Sequence, residues 1–184
     1  MNRIIVLMML VAGFVGLLSG CKTQIHPSGQ INQPPQVAFN MFDNVQLNKV
    51  VMPAKYAGQP ANMKAVAKID LLLTEKIKKI YPELNNAAGS GKTLIVEPEV
   101  IDIKFIGGGA RVWAGAMAGS SAVLMKVKFI DKATGNVIAF PEFYSKSSAV
   151  AGAYSFGGND NAMLHRVASD VAEYISKYRE QAGK

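Results

Sequence analysis

Residues 86–106 read NAAGSGKTLIVEPEVIDIKFI, and the state of the residues after Lys92 decides the fold. Gly91, Lys92 and Thr93 end their stretch as a phosphate-binding loop ends, where backbone N–H groups cradle phosphates, lysine reaches them and a hydroxyl holds magnesium. Such a loop follows a strand and opens a helix, so that phosphate meets the positive helix end. Here the order is reversed. Ile101, Ile103 and Phe105 alternate with Asp102 and Lys104, and β-branched residues dominate, as in a strand. Asn86 also stands where the phosphate loop has its first glycine. The stretch reads as a helix-to-strand connection whose glycines supply turn conformations, and no nucleotide partner is expected. Leu94 and Val96 lie on the other parity from Ile101 and Ile103, so Pro98 is expected to mark a bulge or an edge.

Upstream, Val66, Ile69, Leu72, Leu73, Ile77 and Ile80 recur at spacings of three and four, while Lys64, Lys68, Glu75, Lys78 and Lys79 take the other face. That spacing predicts an amphipathic helix from Asn62 to about Tyr81, stopped by Pro82. Residues 37–52 are strand-like up to Pro53. Downstream, residues 106–121 are rich in Gly and Ala, and Val123, Met125, Val127 and Phe129 alternate as a half-buried strand. Asp131-Lys132-Ala133-Thr134-Gly135-Asn136 is turn chemistry, and residues 137–148 form the partner strand of a hairpin. Asp160 is the expected N-cap of a last helix with Met163, Val167, Val171, Tyr174 and Tyr178 on one face. The order β, α, β, β, β, α predicts an α+β fold of two layers, a mainly antiparallel sheet of about four strands with two helices on one face.

Residues 1–20 have a different character. Arg3 gives a positive start, residues 4–18 are an apolar run, and Leu18-Ser19-Gly20-Cys21 closes it with small residues before the one cysteine. This is an export signal, shorter than the roughly 20 apolar residues of a spanning helix. Its end resembles the lipobox of bacterial lipoproteins, which implies cleavage before Cys21 and acylation of Cys21 with palmitate or similar chains. Residues 21–36, polar and proline-bearing, are expected to be a flexible tether of at most roughly 50 Å, and residues 37–184 a single domain. Lys22, where an aspartate would favour inner-membrane retention, makes the outer membrane the expected site, with the domain facing the periplasm.

Composition removes several function classes. One cysteine excludes an intrachain disulfide framework and a cysteine-based zinc cluster. His26 and His165 are the two histidines, and no metal or cofactor is expected. Of 20 basic and 13 acidic residues only Arg3 leaves with the signal, so the mature balance is +6. No run of like charges or interleaved aromatics suggests nucleic acid.

Residues 99–139 contain a strand, the Gly107 cluster, then Arg111, Gly115, Gly119 and Ser121 as R-x-x-x-G-x-x-x-G-x-S, a β-branched strand, and D-K-A-T-G at Asp131 to Gly135. This stretch resembles the uncharacterised bacterial lipoprotein family known as domain of unknown function 4410, over roughly residues 49–151. The resemblance implies class and location and brings no activity, cofactor or catalytic residue.

Candidate chemistry is sparse. Gly115 and Gly119 suit close backbone packing, with a membrane-inserting helix the weaker reading beside Arg111. Arg111 and Trp113 are the candidate partner anchors, since both residue types are favoured at interface hot spots. Glu97 and Glu99 sit on one strand face about 7 Å apart, a spacing open to acid and base work, yet a solvated face explains them more simply. His165 belongs to a surface helix position. The expectation is therefore a non-catalytic envelope lipoprotein, not an enzyme, held on the membrane by Cys21 and presenting its domain to an envelope protein or the cell wall. A hydrolase or transferase acting on cell-wall material and a membrane-associated homo-oligomer are the alternatives.

Overall fold

The computed structural model describes residues 25–86, 90–106, 119–147 and 158–183. Five strands and two long helices follow in the order β1 (Asn44–Leu47), α1 (Pro60–Ile80), β2 (Thr93–Lys104), β3 (Ala122–Asp131), β4 (Val137–Ala139), β5 (Glu142–Lys146) and α2 (Gly158–Lys177). The sheet runs β1, β2, β3, and then β4 and β5 end to end along the far edge of β3. It is an α+β fold with a mostly antiparallel sheet, as the pattern of elements predicts.

The expected periodicities recur as packing. Ala65, Ile69, Leu72, Leu73 and Ile77 of α1 join Met163, Leu164, Val167, Val171 and Ile175 of α2 in one core with the inner face of the sheet. Across β2 and β3 that face pairs Val96 with Phe129, Val100 with Met125 and Ile103 with Val123. Phe39, Phe129, Tyr174 and Tyr178 meet in tilted, stacked and edge-to-face pairs, with Phe129 and Tyr174 centroids 5.7 Å apart. Burying a side chain the size of Phe129 contributes about 1.5–3 kcal/mol, so this cluster fastens α2 to β3. Pro60 opens α1, where a missing N–H costs nothing, and Pro82 follows its end.

Three local expectations are corrected or refined. Only Asn44–Leu47 of residues 37–52 forms a strand, and it runs parallel to β2. Phe39 is buried from a single 3-10 turn instead, and the β1–α1–β2 crossover makes the sheet mixed. Pro98 pairs regularly with Val127 on its β3 side, where the register shift falls later, between Val100 and Asp102; the irregularity it marks is on the β1 side, where Leu47 pairs with Val96 and Val51 with Glu99. Val96 O accepts from Asn48 N, and Pro98 O from Val51 N. The proline nitrogen thus lies where residues 49 and 50 leave the ladder and ask for no donor. The hairpin partner of β3 is split into β4 and β5 at Phe140 and Pro141. The turn before it behaves as expected: Asp131 Oδ1 accepts from Ala133 N at 2.9 Å and Gly135 takes φ 72°.

Both sheet edges are covered, which guards against edge pairing. Asn85 closes β1, its N–H donating to Val45 O and its Oδ1 accepting from Leu47 N. Residues 25–36 close the β4 and β5 side. Asn32 exchanges two bonds with the Glu142 backbone, at 2.7 and 2.8 Å. Gln36 N donates to Ile138 O, Tyr174 Oη to Gln33 O and Gly183 N to Pro35 O. Composition predicts a free tether here; the described part is a strap lying on the domain.

Candidate functional site

The functional residues expected from sequence divide sharply. Cys21, Arg111, Trp113 and Gly115 lie outside the described residues. Gly119 is described, and its backbone gives a second reason for glycine beside close packing. Among the described residues a Cβ there would meet Lys104 Nζ alone, at 3.6 Å, and φ 84° by itself calls for glycine.

The two ends of the Gly-rich stretch are held by a buried polar network that the sequence did not announce. Ile106 N donates to Ser121 Oγ at 2.9 Å, Ser121 N to Ser147 Oγ at 3.0 Å, and Ser147 Oγ to Asp160 Oδ1 at 2.8 Å. Asp160 is fully buried in the first turn of α2, not its N-cap, because the helix begins at Gly158. A carboxylate there also meets the positive helix end. The signal was present only as two serines at strand ends and an acid before a helix, each common on its own.

Ile25 sits beside this end of the sheet, on the outer face. It is buried against Ala122 and Leu124, with Ile101 and Tyr144 around them. Next to it opens a cleft of about 350 Å³ between the start of α1 and the end of β2, lined by Ile25, Tyr56, Asn62, Asp102 and Lys104 among others. The Tyr56 hydroxyl donates to Asp102. Asn62 Oδ1 accepts from Phe105 N at 2.8 Å, which ties α1 to the last residues of β2. A second groove of about 330 Å³ separates the strap from β4 and β5, and a third of about 280 Å³ lies by Tyr81 and Arg179. Burial raises the Tyr81 hydroxyl above its usual range, with the Arg179 charge pulling the other way.

The remaining candidates resolve into structure. Glu97 faces Lys128 across the ladder and Glu99 faces Lys126, so the two acids belong to a charge-balanced outer face; neither lines the three clefts. His165 is exposed on α2. Lys92 leads into β2, and its N–H binds Asp43 Oδ2 at 2.9 Å. Among the described residues this loop holds a carboxylate and enters a strand, the reverse of a phosphate loop's order. Among the described residues no three His, Cys, Asp or Glu side chains gather as a metal site, and no helix is long and apolar enough to cross a membrane.

No family model and no curated protein matches the chain, so the resemblance to unknown-function family 4410 is without that support. Similar solved structures include a PelC dodecamer from Paraburkholderia phytofirmans, 13% identical over 81% of this chain and 95% of that one, TM-score 0.49. A Xanthomonas campestris protein of unknown-function family 330 is 11% identical over 87% and 97%, TM-score 0.47. A minor lipoprotein from Acinetobacter baumannii is 12% identical over 75% and 95%, TM-score 0.38. Similarity at this level says nothing of what the chain binds.

Proposed function

We propose that this chain is a bacterial envelope lipoprotein without catalytic activity, anchored through acyl chains on Cys21. It presents its α+β domain to an envelope protein or to the cell wall, most simply from the outer membrane into the periplasm. The observation that carries the reading is the pairing of an export signal with Leu18-Ser19-Gly20-Cys21, followed after Gln24 by residues already bonded to the folded domain. Two acyl chains or more hold a protein stably on a bilayer without a spanning helix. The acids that an enzyme reading needs, Glu97 and Glu99, are matched to lysines on an open face, which favours the binding reading. Arg111 and Trp113 are the proposed partner anchors, in a stretch whose ends are fixed by the buried Ser121, Ser147 and Asp160 network.

Metabolic labelling with a palmitate analogue tests the anchor. The wild type takes label, and Cys21→Ser leaves an uncleaved, unlabelled precursor; label persisting in the variant would end the reading. Crosslinking in intact envelopes followed by affinity purification tests the partner.

A further inference from the structure

Composition allows residues 21–36 to hold the domain far from the bilayer, but the bonds of the strap do not. Ile25 is 7% exposed, and Ser28 N donates to Glu142 Oε1 at 2.7 Å soon after it. Between Ile25 and Cys21 lie four residue steps, a span of at most roughly 14 Å at full extension. The end of the sheet where Ile25 docks is therefore kept near whatever holds Cys21.

That end is basic. Ala122, under Ile25, pairs with Lys104 on β2 and with Lys146 on β5, so both lysines share its face and rank. Lys55 is exposed nearby, its Nζ 4.7 Å from the Tyr56 ring that reaches over to Asp102. Three lysines thus stand at this end against two carboxylates, Asp102, which already has a hydroxyl donor, and Asp160, which is buried. Lys22, beside Cys21 in the sequence, adds to the same sign. At the opposite end of β2, roughly 35 Å away at strand rise, Lys92 and Lys132 lie beside Asp43 and Asp131.

We propose that the face carrying Lys55, Lys104 and Lys146 rests on the anionic headgroups of the bilayer that holds Cys21, and that the strap fixes the domain in this orientation. The inference rests on acylation of Cys21. Attraction of lysines to an anionic surface acts within a Debye length, about 8 Å at physiological ionic strength, comparable to the reach left to the chain. Ile106 and Ser121, which flank the stretch carrying Arg111 and Trp113 in the sequence, are bonded to each other at this same end.

The test uses the full-length lipoprotein in vesicles of phosphatidylethanolamine and phosphatidylglycerol bearing a headgroup nitroxide. Acylation consumes Cys21, so Lys104→Cys, Lys146→Cys, Lys92→Cys and Lys132→Cys each supply one thiol for an environment-sensitive fluorophore. Fluorophores at 104 and 146 are expected to be quenched and those at 92 and 132 not; equal quenching at both ends overturns the proposal. Ile25→Asp with Asn32→Ala and Glu142→Ala removes the contacts that hold the strap next to Cys21 and is expected to abolish the difference; a difference that survives overturns the strap's role. Intact mass separates the failures: acylated protein with uniform quenching sinks this inference alone, whereas protein without acyl chains on Cys21 sinks the lipoprotein reading with it.

Discussion

Gly91→Ala is expected to destabilise the protein by about 2 kcal/mol, from two sources. At φ 100° a residue with a Cβ is strained, by about 1 kcal/mol or slightly more. The added Cβ would also collide with Asp43 Oδ2, so the carboxylate must leave the Lys92 N–H it binds at 2.9 Å. Losing an exposed hydrogen bond to a charged acceptor costs about 1 kcal/mol. In a domain of this length each kcal/mol moves Tm by about 2–4 °C, so thermal melting followed by circular dichroism should fall by about 4–8 °C. Asp43→Ala removes the carboxylate that collides, together with the bond, and leaves only its own Cβ in tight contact at 3.0 Å. The double variant should therefore cost about 2 kcal/mol, where simple addition gives about 3. A full-strength melt for Gly91→Ala, or an additive cycle, would refute the reasoning, and a magnesium-dependent rise in Tm with ATP would restore the phosphate-loop reading.

Gly119→Leu should lower stability by about 1 kcal/mol through its positive φ; Gly119→Asn, which tolerates that region, should cost less, and equal losses would contradict this. Arg111→Ala and Trp113→Ala should leave melting unchanged and remove an envelope crosslink, and a retained crosslink would exclude them as anchors. Burial keeps the Tyr174 hydroxyl protonated well above the ordinary range. An unfolded tyrosine ionises near pH 10, so this contribution to stability is complete below about pH 10 and is lost as pH rises toward the folded value. Tyr174→Phe should cost about 1 kcal/mol at neutral pH with its bond to Gln33 and flatten the alkaline decline; an unaltered alkaline slope would contradict the burial argument.

What the sequence made legible was what repeats. The spacing from Val66 to Ile80 specifies α1, the alternation from Val123 to Phe129 specifies β3, and Asp131 with Gly135 specifies the turn, because each rests on local geometry. Parallel pairing of β1 was hidden, since Phe39, Phe42, Val45 and Leu47 are apolar and buried whether they sit in a turn or a strand. The strap was hidden for another reason. Ile25 is buried while Ile31, in the same polar context, is 84% exposed, and the binding is done by backbone groups and Asn32, which composition does not rank. Asp160 was visible as a helix start but not as a buried acceptor, because Ser147 is its neighbour only in the fold. The candidate anchor could be read from residues 18–21, whose meaning is chemical and independent of the fold.

The central claim is the acylated N-terminus, and the intact mass of the protein purified from bacterial envelopes tests it most directly. The expected species begins at Cys21 and exceeds the chain mass by its acyl groups, and Cys21→Ser yields only the full precursor. A mature protein that begins elsewhere, or that begins at Cys21 and carries no acyl mass, would contradict the account.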